Sequence, residues 1–93
     1  MKIGVLRVYF QIPGARSLKE KRKVLRPLKD RLFSQFNVSV AEIGSNDKWQ
    51  IGELGIVTVG NEHGFVDSVV QKVKNFIERT PSVRVIECDI EII

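Results

Sequence analysis

Between Arg16 and Arg31 the chain sets eight lysines and arginines (Arg16, Lys19, Lys21, Arg22, Lys23, Arg26, Lys29 and Arg31) against two carboxylates, Glu20 and Asp30. The local balance is +6, so the rest of the chain, whose total is +4, sums to −2. Cations this dense can hold the phosphates of a polyanion, and binding of that kind releases counterions and weakens steeply with salt. Arg16, Lys19, Lys21, Arg22, Lys23 and Arg26 are the candidate phosphate ligands. The same composition also suits a solvated amphipathic helix, whose outer face needs only to meet water.

Elsewhere the residues that bear chemistry are sparse. Trp49, beside Lys48, is expected to cover one end of the core, the usual use of a large aromatic. The alternative is stacking on a base or on an arginine, which would add Lys48 and Trp49 to a nucleic-acid interface. His63 is the only histidine; without a set of ligand residues around it, it reads as an exposed residue at a helix start. Glu87, Asp89 and Glu91 recur at alternate positions, but an extended strand spreads them, and Arg7 is a simpler partner than a hard cation. The single cysteine, Cys88, excludes an internal disulfide, a CxxC pair and a cysteine-ligated cluster. Set among isoleucines, it reads as buried and inert. No nucleophile, base and orienting group form a recognisable constellation, so the expectation is a non-enzymatic binding protein with no cofactor and no metal.

These residues need elements to position them. A chain of 93 residues, 43% hydrophobic and 28% charged, makes one domain, 1–93, with a modest core. There is no signal-peptide core and no apolar run of membrane-spanning length, so a cytoplasmic protein with no membrane contact is the default. Ser17 and, three residues on, Glu20 form a capping box that starts a helix over Arg16 to Phe36. Leu18, Leu25, Leu28, Leu32 and Phe36 share one face of it, while Lys19, Lys23 and Arg26 point the other way. Pro27, opposite the leucines, lacks an N–H and is expected to bend or tighten the helix.

Before that helix, Met1 to Ile12 alternates as a strand. Gly4, Leu6, Val8, Phe10 and Ile12 lie on one face, and Ile3, Val5, Arg7, Tyr9 and Gln11 on the other. After it, Asn37–Ile43 and Trp49–Gly60 predict a hairpin about Gly44-Ser45-Asn46-Asp47. Gly52, Gly55 and Gly60 suggest a bulge or a close approach in its second strand. Asn61 is the expected cap of a second helix running to Arg79, whose apolar face gathers Phe65, Val66, Val69, Val70, Val73, Phe76 and Ile77. Thr80-Pro81-Ser82 breaks it. Val83 to Ile93 closes as a strand with Ile86, Cys88, Ile90 and Ile92 on one face and Glu87, Asp89 and Glu91 on the other.

Strand, helix, strand, strand, helix, strand, joined by right-handed crossovers, predicts the α+β ferredoxin-like fold, βαββαβ. It has a four-stranded antiparallel sheet with both helices on one face. Strand 4 then lies beside strand 1, which sets Glu87 and Asp89 near Arg7 and Tyr9 on the uncovered face. Ile3, Val5 and Tyr9, with Val83 and Val85, are the candidate interface of a homodimer there, with room for a small ligand. An RNA platform on that face is not expected, because the third strand lacks stacking aromatics and the acidic row would repel phosphate.

Ser17-Leu18-Lys19-Glu20-Lys21-Arg22, Phe36-Asn37-Val38-Ser39-Val40-Ala41-Glu42 and Asp47-Lys48-Trp49-Gln50 resemble the motifs of the YlxP-like proteins, a bacterial family of unknown function. The resemblance spans the chain and implies the same ferredoxin-like fold. Members are often encoded beside translation and ribosome-maturation factors, so it also suggests a role near RNA or the ribosome. It carries over no catalytic residue. Two readings stand: RNA or ribosome binding through the first helix, and a homo-oligomeric module paired through its open sheet.

Overall fold

The computed structural model describes residues 1–93 and has the expected element order: β1 (Lys2–Gln11), α1 (Leu18–Gln35), β2 (Ser39–Gly44), β3 (Ile51–Gly60), α2 (His63–Glu78) and β4 (Arg84–Ile92). The rest assembles on β1, whose alternation leaves one wholly apolar face. β3 pairs antiparallel along its full length, from Lys2 opposite Gly60 to Gln11 opposite Ile51, and β4 pairs antiparallel on the other edge. With β2 outside β3, the sheet order is β2-β3-β1-β4, the ferredoxin-like arrangement.

Both helices pack on the same side of this sheet. Leu6, Val8 and Phe10 of β1 and Leu54 and Ile56 of β3 meet Leu25, Leu28 and Leu32 of α1 and Val70, Val73 and Ile77 of α2 in one buried cluster. Phe36 and Phe76 meet edge to face at 6.0 Å and an interplanar angle of 81°, where α1 ends and α2 approaches its own end. Two glycines make room for neighbouring side chains without bulging β3 away from β1. A Cβ at Gly52 would stand 2.5 Å from the Phe10 ring, and one at Gly55 2.9 Å from Ile43. No helix is long and apolar enough to cross a membrane.

The strands on the sheet edges depart from simple alternation. β4 shifts register between Tyr9 and Phe10: Glu87 faces Tyr9, yet Val85 faces Phe10, leaving Ile86 as the extra residue of a bulge. The bulge reverses parity. Val85 therefore packs against the core and Val83 is buried, so neither belongs to the uncovered face where the alternation put them. Ile86, expected among the core isoleucines, is instead 51% exposed. A second shift, between Glu42 and Gly44 of β2, leaves Ile43 unpaired and folded over Gly55.

Smaller corrections concern α2. Its N-cap is Glu62, not Asn61, and the Glu62 side chain makes no capping hydrogen bond. Phe65 lies one position off the buried stripe of Val66, Val70, Val73 and Ile77, against Gly60, and is exposed.

Candidate nucleic-acid interface

The start of α1 is fixed by its capping residues. Ser17 Oγ accepts the Glu20 N–H at 3.1 Å, and Glu20 Oε1 accepts the Arg16 N–H at 2.8 Å, one residue ahead of the cap's own amide. The only carboxylate in the first turn is thus committed to the backbone. On the outer face beyond it, Lys19, Arg22, Lys23, Arg26 and Pro27 line a groove of about 420 Å³. All four cations are exposed. None has a carboxylate within ion-pair distance, because the ion pairs of the molecule are Arg7–Glu91 and Lys21–Glu42. α1 runs unbroken through Pro27. The proline supplies no N–H to the Lys23 carbonyl, which is tolerable because this side of the helix faces water.

Lys21 must be taken out of that set. Its side chain is 3% exposed and points away from the groove, toward β2. The ammonium donates to the Ser45 carbonyl at 2.7 Å and stands 2.8 Å from Glu42 Oε2. That second approach is off the line of a hydrogen bond, so Oε2 is buried with charge beside it but without an aligned donor. The sequence carried a signal for this. Lys21 follows Leu18 by three and precedes Leu25 by four, so it sits inside the leucine stripe. Glu42 shares the inward register of Val40, opposite Leu54. A lysine and a glutamate that both face inward on neighbouring elements need each other.

The hairpin tip, residues 45–50, lies against the entrance to α1. Gln50 Nε2 donates to the Ala15 carbonyl at 3.1 Å and the Ile12 N–H to the Gln50 carbonyl at 2.8 Å. These bonds bring Lys48 and Trp49 beside the loop that carries Arg16, more than thirty residues away in sequence. Trp49 does not cover the core: it is 53% exposed, and Arg16 and Lys48 are exposed as well. Ser45, at φ 56°, turns the chain in the left-handed region, where a residue with a side chain carries a strain of roughly 1 kcal/mol.

The opposite, uncovered face of the sheet has a different character. Ile3, Val5 and Tyr9 are half-buried there. Val57, opposite Val5, and Val59, opposite Ile3, extend the apolar strip, a contribution that the glycines of β3 mask in the sequence. Toward β4, Asp89 is opposite Arg7 and Glu87 opposite Tyr9, as expected, but Arg7 pairs diagonally with Glu91 at 3.8 Å. Arg7, Tyr9, Ile43, Glu53, Glu87 and Asp89 line a shallow hollow of about 180 Å³. No three His, Cys, Asp or Glu side chains converge to hold a metal ion. His63 is exposed at the first residue of α2. Cys88 is half-buried, and burial pushes its thiol above the usual range, only partly offset by Lys74, so it is a weak nucleophile at neutral pH.

Comparison with known proteins agrees with the three sequence blocks. Residues 3–90 match the family described as "Protein of unknown function (DUF503)". The chain is 41% identical over 72 residues to the "Uncharacterized protein YlxP" of Bacillus subtilis (strain 168), an alignment that covers 77% of this chain and 78% of that one. With the family match running through nearly every element of the fold, the chain belongs to the YlxP-like family of proteins of unknown function.

Proposed function

We propose that the protein is a non-enzymatic RNA-binding protein of the cytoplasm, associated with ribosomal or other structured RNA, and that it binds the phosphate backbone along the outer face of α1. The observation that carries this reading is the groove of Lys19, Arg22, Lys23 and Arg26 without carboxylate partners. Their position along the helix adds weight. Cations stabilise a helix in its last turn and cost stability in its first, by typically 0.3–1 kcal/mol at the surface, and the effect fades beyond those turns. α1 has no basic residue in its last turn and sets Lys19, alone of the four, in its first. A helix built for solubility alone would gain by the reverse arrangement. Here the positive end of the helix dipole and the side chains add to one field, which attracts anions.

RNA and ribosomal proteins recovered by crosslinking from cells provide the test, with a variant carrying Glu at Lys19, Arg22, Lys23 and Arg26 as the comparison. Specific RNA enrichment with the parent and its loss with the variant are expected. Equal recovery with both would remove the reading. A second reading, a homodimer paired through the sheet, is favoured by Val57 and Val59, 39% and 53% exposed beside Ile3 and Val5. The two readings are compatible, since they use opposite faces.

A further inference from the structure

The hairpin tip is built at some expense. A buried lysine is a poor source of net stability, because desolvating the ammonium offsets most of what its partners return, and apolar residues of similar size often serve as well. What Lys21 supplies is a directional hold on one atom, the Ser45 carbonyl, at 2.7 Å. That carbonyl also accepts the Lys48 N–H at 3.0 Å, so the ammonium fixes the turn from which Lys48 and Trp49 project. Ser45 holds a left-handed conformation there, and Gln50 ties the far side of the tip to Ala15. The side chain that all this presents is an indole left 53% exposed, on a tip tied to the loop that leads into α1.

We propose that this tip is the second arm of the interface. Trp49 stacks on one unpaired base of an RNA whose phosphates lie in the α1 groove, and Lys21, itself out of reach of RNA, is the positioning residue that keeps the two arms in register. The proposal rests on the reading of α1 given above and adds the ligand class: structured RNA with a single-stranded nucleotide beside its duplex. An aromatic face accepts any base, so the arm adds affinity without sequence preference.

The test uses the full chain, a blunt RNA duplex, and the same duplex with a short single-stranded overhang. The overhang should bind about tenfold more tightly, on the scale of one stacked base, and should quench the fluorescence of Trp49, the only tryptophan in the chain. Trp49→Phe should keep most of the preference, and Trp49→Ala should bring the two RNAs to equal affinity. Lys21→Met/Glu42→Gln, which strands no buried carboxylate, should also lose the preference while the salt dependence of duplex binding stays as in the parent. A merely structural lysine would leave the preference intact in any variant that folds. Should that variant fail to fold, Gln50→Ala loosens the other tie of the tip and is expected to weaken the preference. Equal affinity of the parent for both RNAs, or overhang binding with unquenched Trp49, would overturn the second arm and leave the α1 reading standing. Binding of neither RNA would overturn both.

Discussion

The outer face of α1 and the uncovered face of the sheet lie on opposite sides of one small domain and carry opposite charge. On the helix, Lys19, Arg22, Lys23 and Arg26 stand free of carboxylates. On the sheet, Glu53, Glu87, Asp89 and Glu91 border a strip of Ile3, Val5, Val57 and Val59, with Arg7 and Arg84 as the interspersed cations. A net charge of +4 describes neither face. The ferredoxin-like order forces the separation, because it puts both helices on one side and leaves the second side of every strand uncovered. A polyanion can use only the first face, and an apolar partner is better served by the second. The same contrast recurs within α1: Lys21 and Lys23 are two residues apart, yet one is held against Glu42 and Ser45 and the other faces water.

The largest effects should separate the inner side of α1 from its outer side. Leu28 is 1% exposed, so Leu28→Ala should cost ~2–5 kcal/mol in denaturant unfolding through lost burial and a cavity. Lys23→Ala should stay within about 0.5 kcal/mol. Equal, small losses would mean that the packed face of α1 is misassigned. Lys21→Ala should cost about 3 kcal/mol, within the range expected for Leu28→Ala and at the lower end for breaking a buried pair, since the Glu42 side chain keeps 22% of its surface exposed. A loss as slight as that of Lys23→Ala would show that the pair does not form in solution. Gly4→Ala should cost ~1–3 kcal/mol by overpacking, because the added Cβ would stand 2.6 Å from Val66 and 2.7 Å from Val70 on α2. An unchanged melting temperature there would contradict the close seating of α2 on β1.

On the sheet face the expected effect is on mass and not on stability. If copies pair through the apolar strip, Val5→Asp should turn a dimer into a folded monomer in light scattering. A parent that is monomeric across the accessible concentration range would leave that face without this role.

How much of this was legible in the sequence follows from which signals are local. The apolar register of β1, the leucine stripe of α1 and the Ser17 cap are set by neighbours in the chain, and all three appear as expected. The bulges at Ile43 and Ile86 are not local. Each is defined against the partner strand, and one extra residue there moved Val83 and Val85 from the open face to the core. The charge of the candidate interface was legible from Arg16 to Arg31, but its membership was not. Counting charges set Lys21 with its neighbours, whereas its place in the leucine stripe pointed inward. The contribution of the hairpin tip was hidden for a different reason, since the bonds from Lys21 to Ser45 and from Gln50 to Ala15 join segments far apart in sequence.

The central claim, that α1 lies along an RNA backbone, is tested most directly by the salt dependence of binding. The parent and the Lys19→Ala/Lys23→Ala/Arg26→Ala variant would be titrated with structured RNA over a range of salt, with circular dichroism and melting temperature as controls for fold. The variant should bind more weakly across all RNA sequences alike, with a slope of log K against log salt shallower by up to about three, roughly one for each lost phosphate contact. A variant that is folded, binds as tightly as the parent and keeps the same slope would contradict it.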